Sequence, residues 1–82
     1  MARSQRHNRW VVFAMPENHT PGGDNLFFAR DGSETKSRLR AAKFHSENLA
    51  ARFATEKGIE IDGAMRYIGR LDFAESELGD EI

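Results

Sequence analysis

The sequence predicts one small α+β domain in which a single helix packs across an antiparallel sheet, with its elements in the order ββ(β)αβ. Three observations support this fold class: two short apolar runs near the N-terminus, an alternating segment near the C-terminus, and an amphipathic stretch between them. With 82 residues and no cysteine, the chain has room for one modest core, which apolar packing must stabilise.

The first two strands form a predicted hairpin. Residues 10–15 (WVVFAM) are apolar and rich in aromatic and β-branched side chains, and Pro16 ends this run. Residues 16–24 (PENHTPGGD) concentrate turn formers, which predicts a long loop. Residues 25–30 (NLFFAR) are the second strand, and the Asp31-Gly32 pair that follows is a turn signal that closes it.

The middle of the chain allows two interpretations. Either residues 34–57 form one long helix, or a loop or short third strand through Lys43 and Phe44 leads into a helix over residues 47–57. The second is favoured because Phe44 falls about 180° from Phe53 at 100° per residue, so a continuous helix would expose it.

Capping signals also favour the shorter helix. Ser46 is a good N-cap, and Glu47 lies where the helix dipole favours an acid. Gly58 followed by apolar Ile59 is typical of a Schellman C-cap. The helix is therefore expected to begin after Ser46 and to end before Gly58.

Residues 64–73 (AMRYIGRLDF) form the last predicted strand, because apolar residues and glycine alternate with mainly charged ones. Met65, Tyr67, Gly69, Leu71 and Phe73 would share one side of it. The predicted organisation is a flexible basic arm over residues 1–9, the domain over 10–73, and an acidic tail over 74–82 that adds a helical turn or stays disordered.

The first two strands are apolar on both faces, whereas a sheet with one solvated face would alternate apolar and polar residues. One helix of about eleven residues covers only one face. The other must be covered by the Phe44 segment or the tail, by a second copy in a homodimer, or by a different partner. This apolar excess is the best functional clue in the sequence, and it indicates binding.

The net charge of −1 hides a polarity along the chain. Residues 1–57 carry ten Lys and Arg against six Asp and Glu, whereas residues 58–82 carry two against seven. Such an asymmetry can steer a partner, or the two regions can pair with each other.

No constellation typical of an enzyme is found, so no catalytic residue, cofactor or metal is predicted. His7, His19 and His45 are scattered and lack metal-ligand spacing. Gly22-Gly23 lacks the pattern of a phosphate loop. No apolar run approaches the roughly 20 residues that cross a bilayer, so we expect a cytoplasmic protein without membrane contact.

Residues 42–59 (AKFHSENLAARFATEKGI) resemble a pattern in small proteins encoded by phages and prophages, anti-CRISPR proteins among them. In these a short strand leads through Ser into an Ala-rich helix that ends in Gly, after an N-terminal hairpin. With the hairpin and the last strand, the resemblance covers residues 10–73. It implies a non-catalytic domain that binds and blocks a host protein complex, with the acidic stretch from Asp72 to Glu81 as a mimic of nucleic acid.

We therefore expect a small binding protein that inhibits a host protein or nucleoprotein complex. The predicted contact surface combines aromatic residues of the hairpin with the cations of the basic segment (residues 36–43): Trp10, Phe13, Phe27, Lys36, Arg38, Arg40 and Lys43. The alternative is a nucleic-acid-binding accessory module, in which the same cations contact phosphates and the aromatic residues stack on bases.

Overall fold

The structure is a computed structural model that describes residues 6–15 and 26–82. It confirms the predicted α+β class, with one helix packed on a four-stranded antiparallel sheet in the strand order β3-β2-β1-β4. The elements are β1 (Arg6–Ala14), β2 (Leu26–Phe28), β3 (Glu34–Thr35), α1 (Glu47–Glu56), β4 (Arg66–Ala74) and a 3₁₀ turn (Glu75–Glu77). The predicted loop over residues 16–24 lies outside the described residues.

Strands β1 and β4 form the longest ladder of the sheet. They pair antiparallel over nine residues, from Arg6 opposite Ala74 to Ala14 opposite Arg66. The arm predicted over residues 1–9 therefore ends earlier, because residues 6–9 are held by the distant segment 71–74. Residues 6–9 were predicted as an arm because they are polar, and the residues that pair with them lie more than sixty positions away in the sequence.

A tight turn joins β2 to β3. The carboxylate Oδ1 of Asp31 accepts hydrogen bonds from the backbone N–H and the hydroxyl of Ser33, at 2.9 and 2.6 Å. These bonds hold the pKa of Asp31 below its ordinary value. Gly32 adopts φ = 90°, which side chains disfavour. The turn predicted from Asp31 and Gly32 is thus present, and strand β2 is shorter than the predicted run of residues 25–30.

The structure confirms the interpretation with a short helix preceded by extended chain. Phe44 exchanges two backbone hydrogen bonds of 2.8 Å with Trp10. These bonds lie along the edge of β1 that faces away from β4, beyond Phe13 and Ala14, with which β2 pairs. The N–H of Ala42 donates to the carbonyl of Phe28. Residues 41–44 therefore extend the sheet beyond β2, and the Phe44 side chain is buried against α1.

Both predicted helix caps are present. The Ser46 hydroxyl accepts from the N–H of Leu49 at 3.2 Å, and Gly58 has φ = 70°. The N–H of Ile59 donates to Ala54 and that of Gly58 to Thr55, which is the hydrogen-bond pair of a Schellman motif. Helix α1 therefore stops at its C-terminal glycine as expected.

Two apolar clusters lie on opposite faces of the sheet. On the helix face, α1 and Phe44 pack on β1 and β2; the buried residues are Val12, Ala14, Phe28, Ala42, Phe44, Ala50, Phe53 and Ala54. On the far face the buried residues are Val11, Phe13, Phe27, Ala41 and Phe73, with Leu78 packed against them. The chain itself thus contributes Ala41 and Leu78 to the cover of the far face.

Candidate binding surfaces

The structure does not bring the seven residues of the predicted contact surface together. Trp10 is half-buried on the helix face, under the guanidinium of Arg70 at 5.6 Å. Phe13 and Phe27 are buried on the far face, where their ring centroids lie 5.5 Å apart. The two-sided apolar pattern of the hairpin is therefore internal packing at Phe13 and Phe27, and these rings do not form an open surface.

The four cations of the basic segment also have different environments. Lys36 and Arg40 are exposed, Arg38 is half-buried, and the side chain of Lys43 is fully buried. The ammonium of Lys43 donates to the carbonyls of Leu39 and Ala41, at 3.0 and 2.8 Å. Burial lowers the pKa of Lys43, because removal from water disfavours the charged form.

The acidic segment (residues 75–82) docks on the basic one. Arg38 Nε lies 3.0 Å from Glu77 Oε2, and Arg9 Nε lies 2.5 Å from Glu81 Oε1. The backbone of Lys43 donates to Asp80 and accepts from Ile82, which forms a parallel bridge. The basic and acidic regions of the sequence therefore pair with each other, at least in part, within the chain.

An open groove lies beside α1, which we call the α1 groove. Its floor is apolar and is formed by Phe44, Phe53, Leu49 and Ile82, of which Leu49 is 40% and Ile82 44% exposed. Its rim carries three cations and one acid, namely Arg30, Arg52, Lys57 and Glu56. The cavity measures about 350 Å³.

The sequence does not single out the α1 groove, because Leu49 forms one apolar stripe with Ala50, Phe53 and Ala54 at i, i+1, i+4, i+5 spacing, which is typical of a helix face packed in the core. Its neighbours Ala50, Phe53 and Ala54 are buried as that stripe requires. Leu49 lies at the margin of the stripe, and helical periodicity alone does not separate a margin from a centre. The available signal was Arg52, a cation that falls 60° from Leu49 at 100° per residue, on the solvent side of the same margin.

A second cavity, of about 570 Å³, opens between the β2–β3 turn and the acidic segment. Its lining mixes both signs of charge, including Arg30, Arg40, Asp31, Glu34 and Asp80. Exposed charges of both signs are typical of a solvated cleft and select no ligand chemistry.

The histidines do not converge on a site. His45 is exposed, with Nε2 3.9 Å from Glu81 Oε1, whereas His7 belongs to β1. His19 lies outside the described residues. Across residues 6–15 and 26–82, no group of three or more His, Cys, Asp or Glu side chains is arranged to hold a metal ion. In that same part of the chain, no helix is long and apolar enough to cross a membrane.

Comparisons with known proteins give no relative: no family model, curated protein or solved structure matches the chain.

Proposed function

We propose that this protein is a non-catalytic binding domain that captures a partner protein through the α1 groove. The observation that carries the proposal is the exposure of Leu49 and Ile82 on one apolar floor beside three cations. Apolar side chains that converge in a rimmed groove are typical of interaction sites, whereas scattered ones are ordinary surface.

The rim favours a partner segment that is apolar at its centre and acidic at its flanks. Arg30, Arg52 and Lys57 outnumber Glu56 around the groove, so carboxylates would be attracted and cations repelled. Leu49, Phe53 and Glu56 follow the i, i+4, i+7 spacing of one helix face, which suits an extended or helical peptide laid along α1.

Binding at this groove would act by steric blockade of the partner. The blocking role, including action against a host complex as in anti-CRISPR proteins, is supported only by the resemblance of residues 42–59. The groove supports the binding step independently of that resemblance.

The experiment is affinity capture from a bacterial lysate, with and without nuclease treatment, and Leu49→Ser is compared with the wild type by mass spectrometry. We expect a roughly three- to eightfold loss of the captured protein, because full burial of a leucine contributes about 1.5–3 kcal/mol and Leu49, 40% exposed, has about two fifths of this to gain on binding. Met65→Ser is the matched control, since Met65 is 48% exposed and lies outside the groove.

Equal loss in both variants would contradict the groove assignment. Capture that disappears on nuclease treatment would favour the nucleic-acid alternative. A captured protein whose binding tolerates Arg52→Glu would contradict the acidic character assigned to the partner.

A further inference from the structure

A set of cations on the far face of the sheet is covered by acids of the same chain. Arg9 pairs with Glu81, and Arg38 pairs with Glu77. Lys43 follows Arg38 by five positions, and its ammonium is attracted by the acids of the same segment, Asp80 first. Three cations from two distant parts of the chain therefore meet one anionic strand.

The acidic segment lies on these cations as an extended polyanion. Its backbone runs parallel to residue 43 through the bonds from Lys43 to Asp80 and from Ile82 to Lys43, both within 3.0 Å. Acids at positions 77, 80 and 81 project negative charge from successive points of one chain, as the phosphates of a single nucleic-acid strand do. The Arg9 hydrogen bond also keeps the pKa of Glu81 below its ordinary value.

Beneath the cations lies an aromatic ring. The Arg38 guanidinium and the Lys43 ammonium lie 4.8 and 4.9 Å from the centroid of Phe73. Arg38 is held in place by this ring and by a further hydrogen bond to the carbonyl of Asp72. Bases can stack on an arginine guanidinium, and contact with the Phe73 ring limits the movement of the Arg38 guanidinium.

We propose that the far face carries a binding site for single-stranded nucleic acid, and that the acidic segment occupies this site in competition with the ligand. Arg9 and Arg38 bind phosphates, and Lys36 and Arg40, both exposed on the basic segment, continue the basic track. Lys43, whose buried ammonium donates to two backbone carbonyls, adds positive charge beneath them. This site lies on the far face, whereas the α1 groove lies beside the helix, and the two meet only at Ile82, which belongs both to the groove floor and to the acidic segment.

The acidic segment is tethered to its own site, so its competition determines the apparent affinity for a nucleic-acid strand. A short linker gives the acidic segment an effective concentration in the millimolar range. The apparent affinity for a strand is reduced by the fraction of molecules whose site is open. The wild-type protein therefore binds weakly, and loss of the tail carboxylates increases the affinity.

The test measures binding of a fluorescent oligothymidylate of 20 nucleotides by anisotropy. We expect Glu77→Gln with Glu81→Gln to bind at least tenfold more tightly than the wild type. Glu47→Gln with Glu60→Gln is the matched control, because it changes the net charge equally at exposed carboxylates outside the acidic segment. This control is expected to change affinity less than twofold.

Two further measurements secure the assignment. Arg9→Gln with Arg38→Gln, added to the tail variant, must return the affinity to or below the wild-type value. For three to five phosphates neutralised, the slope of log K against log salt should be about −2 to −3.5. An equal gain in the control pair, or no gain in the tail variant, would overturn the proposal.

The tail variant is expected to fold. Glu77 Oε1 accepts the N–H of Ala74 at 2.8 Å, and a glutamine keeps a carbonyl oxygen that accepts the same bond. A thermal melt of each variant verifies this. If the double variant melts early, Glu81→Gln alone must still bind more tightly than Glu60→Gln, and equal affinity of these two would reject the proposal.

Discussion

The two faces of the sheet are closed by different physical means. On the helix face, α1 and residue 44 cover the strands with apolar side chains, and the rings of Phe44 and Phe53 lie 5.0 Å apart. On the far face, Phe13 stacks on Tyr67 at 4.9 Å at one end, whereas the other end closes with Arg38 and Lys43 over Phe73.

This difference makes the far face sensitive to conditions that leave the helix face unchanged. Burial of apolar surface responds weakly to moderate salt and to pH. Ion pairs between half-exposed side chains, such as Arg38–Glu77, weaken as salt screens them. Binding at the far face can therefore be regulated at a small cost in fold stability.

Removal of the central ring of the helix face should have the largest effect. Phe53→Ala is expected to lower the free energy of unfolding by about 3–5 kcal/mol, because a buried aromatic side chain leaves a cavity. Urea unfolding followed by circular dichroism measures this change. Leu49→Ala, on the same helix but 40% exposed, should cost far less, and equal losses would contradict the core assignment of α1.

A smaller effect is expected at the aromatic end of the far face. A Cβ on Gly69 would lie 2.9 Å from Cε2 of Phe13, a ring confined between Phe27 and Tyr67. Gly69→Ala should therefore destabilise the fold by about 1–3 kcal/mol through overpacking.

Gly79→Ala is the control for that substitution. Its Cβ would approach Cδ1 of Leu39 at 2.8 Å, but Leu39 is half-exposed and can move aside. Both variants are compared by urea midpoint. A loss at Gly79 as large as that at Gly69 would show that the ring of Phe13 is not the constraint.

The smallest expected effect concerns the ion pair at the acidic segment. Glu81→Gln should lower the free energy of unfolding by about 0.2–1 kcal/mol at pH 7 and low salt, because the pair is only partly buried. Arg9 lowers the pKa of Glu81 in the folded state from its ordinary 4.5. The stabilisation is therefore fully present above about pH 4.5 and is lost as the pH falls through the lower folded value.

The measurement for Glu81 is the difference in urea midpoint between wild type and variant at pH 7 and in acid, with and without added salt. The difference should vanish at low pH and shrink in salt. Glu60→Gln should show no such pattern, since Glu60 is exposed in the loop after α1. A difference that persists in acid would contradict an ionic origin.

Local signals predicted much of the fold. The capping residues Ser46 and Gly58 and the turn at Asp31 act through hydrogen bonds within a few positions, so their roles follow from the sequence nearby. The 180° offset between Phe44 and Phe53 excluded one continuous helix, because helical periodicity can be followed over nine positions of the sequence.

The remaining features of the fold could not be predicted, because they depend on pairing between residues far apart in the sequence. That Arg6 begins a strand depends on Ala74, and that Lys43 is buried depends on residues 80–82. A lysine in a basic run is typical of a solvated surface, and only the acidic segment and the ring of Phe73 change its environment. The exposure of the predicted contact residues could not be predicted either, because it depends on which distant segment covers which strand.

The ladder between β1 and β4 also bears on how the chain reaches this fold. Its paired residues lie at least fifty positions apart, so most contacts of the central strand β1 form only after a long loop closes. Such topologies fold slowly compared with helical proteins of the same size. Until β4 arrives, the apolar run from Trp10 to Met15 lacks its main partner, and intermediates with exposed apolar strands self-associate. Folding yield should therefore fall with protein concentration even where the native domain is stable.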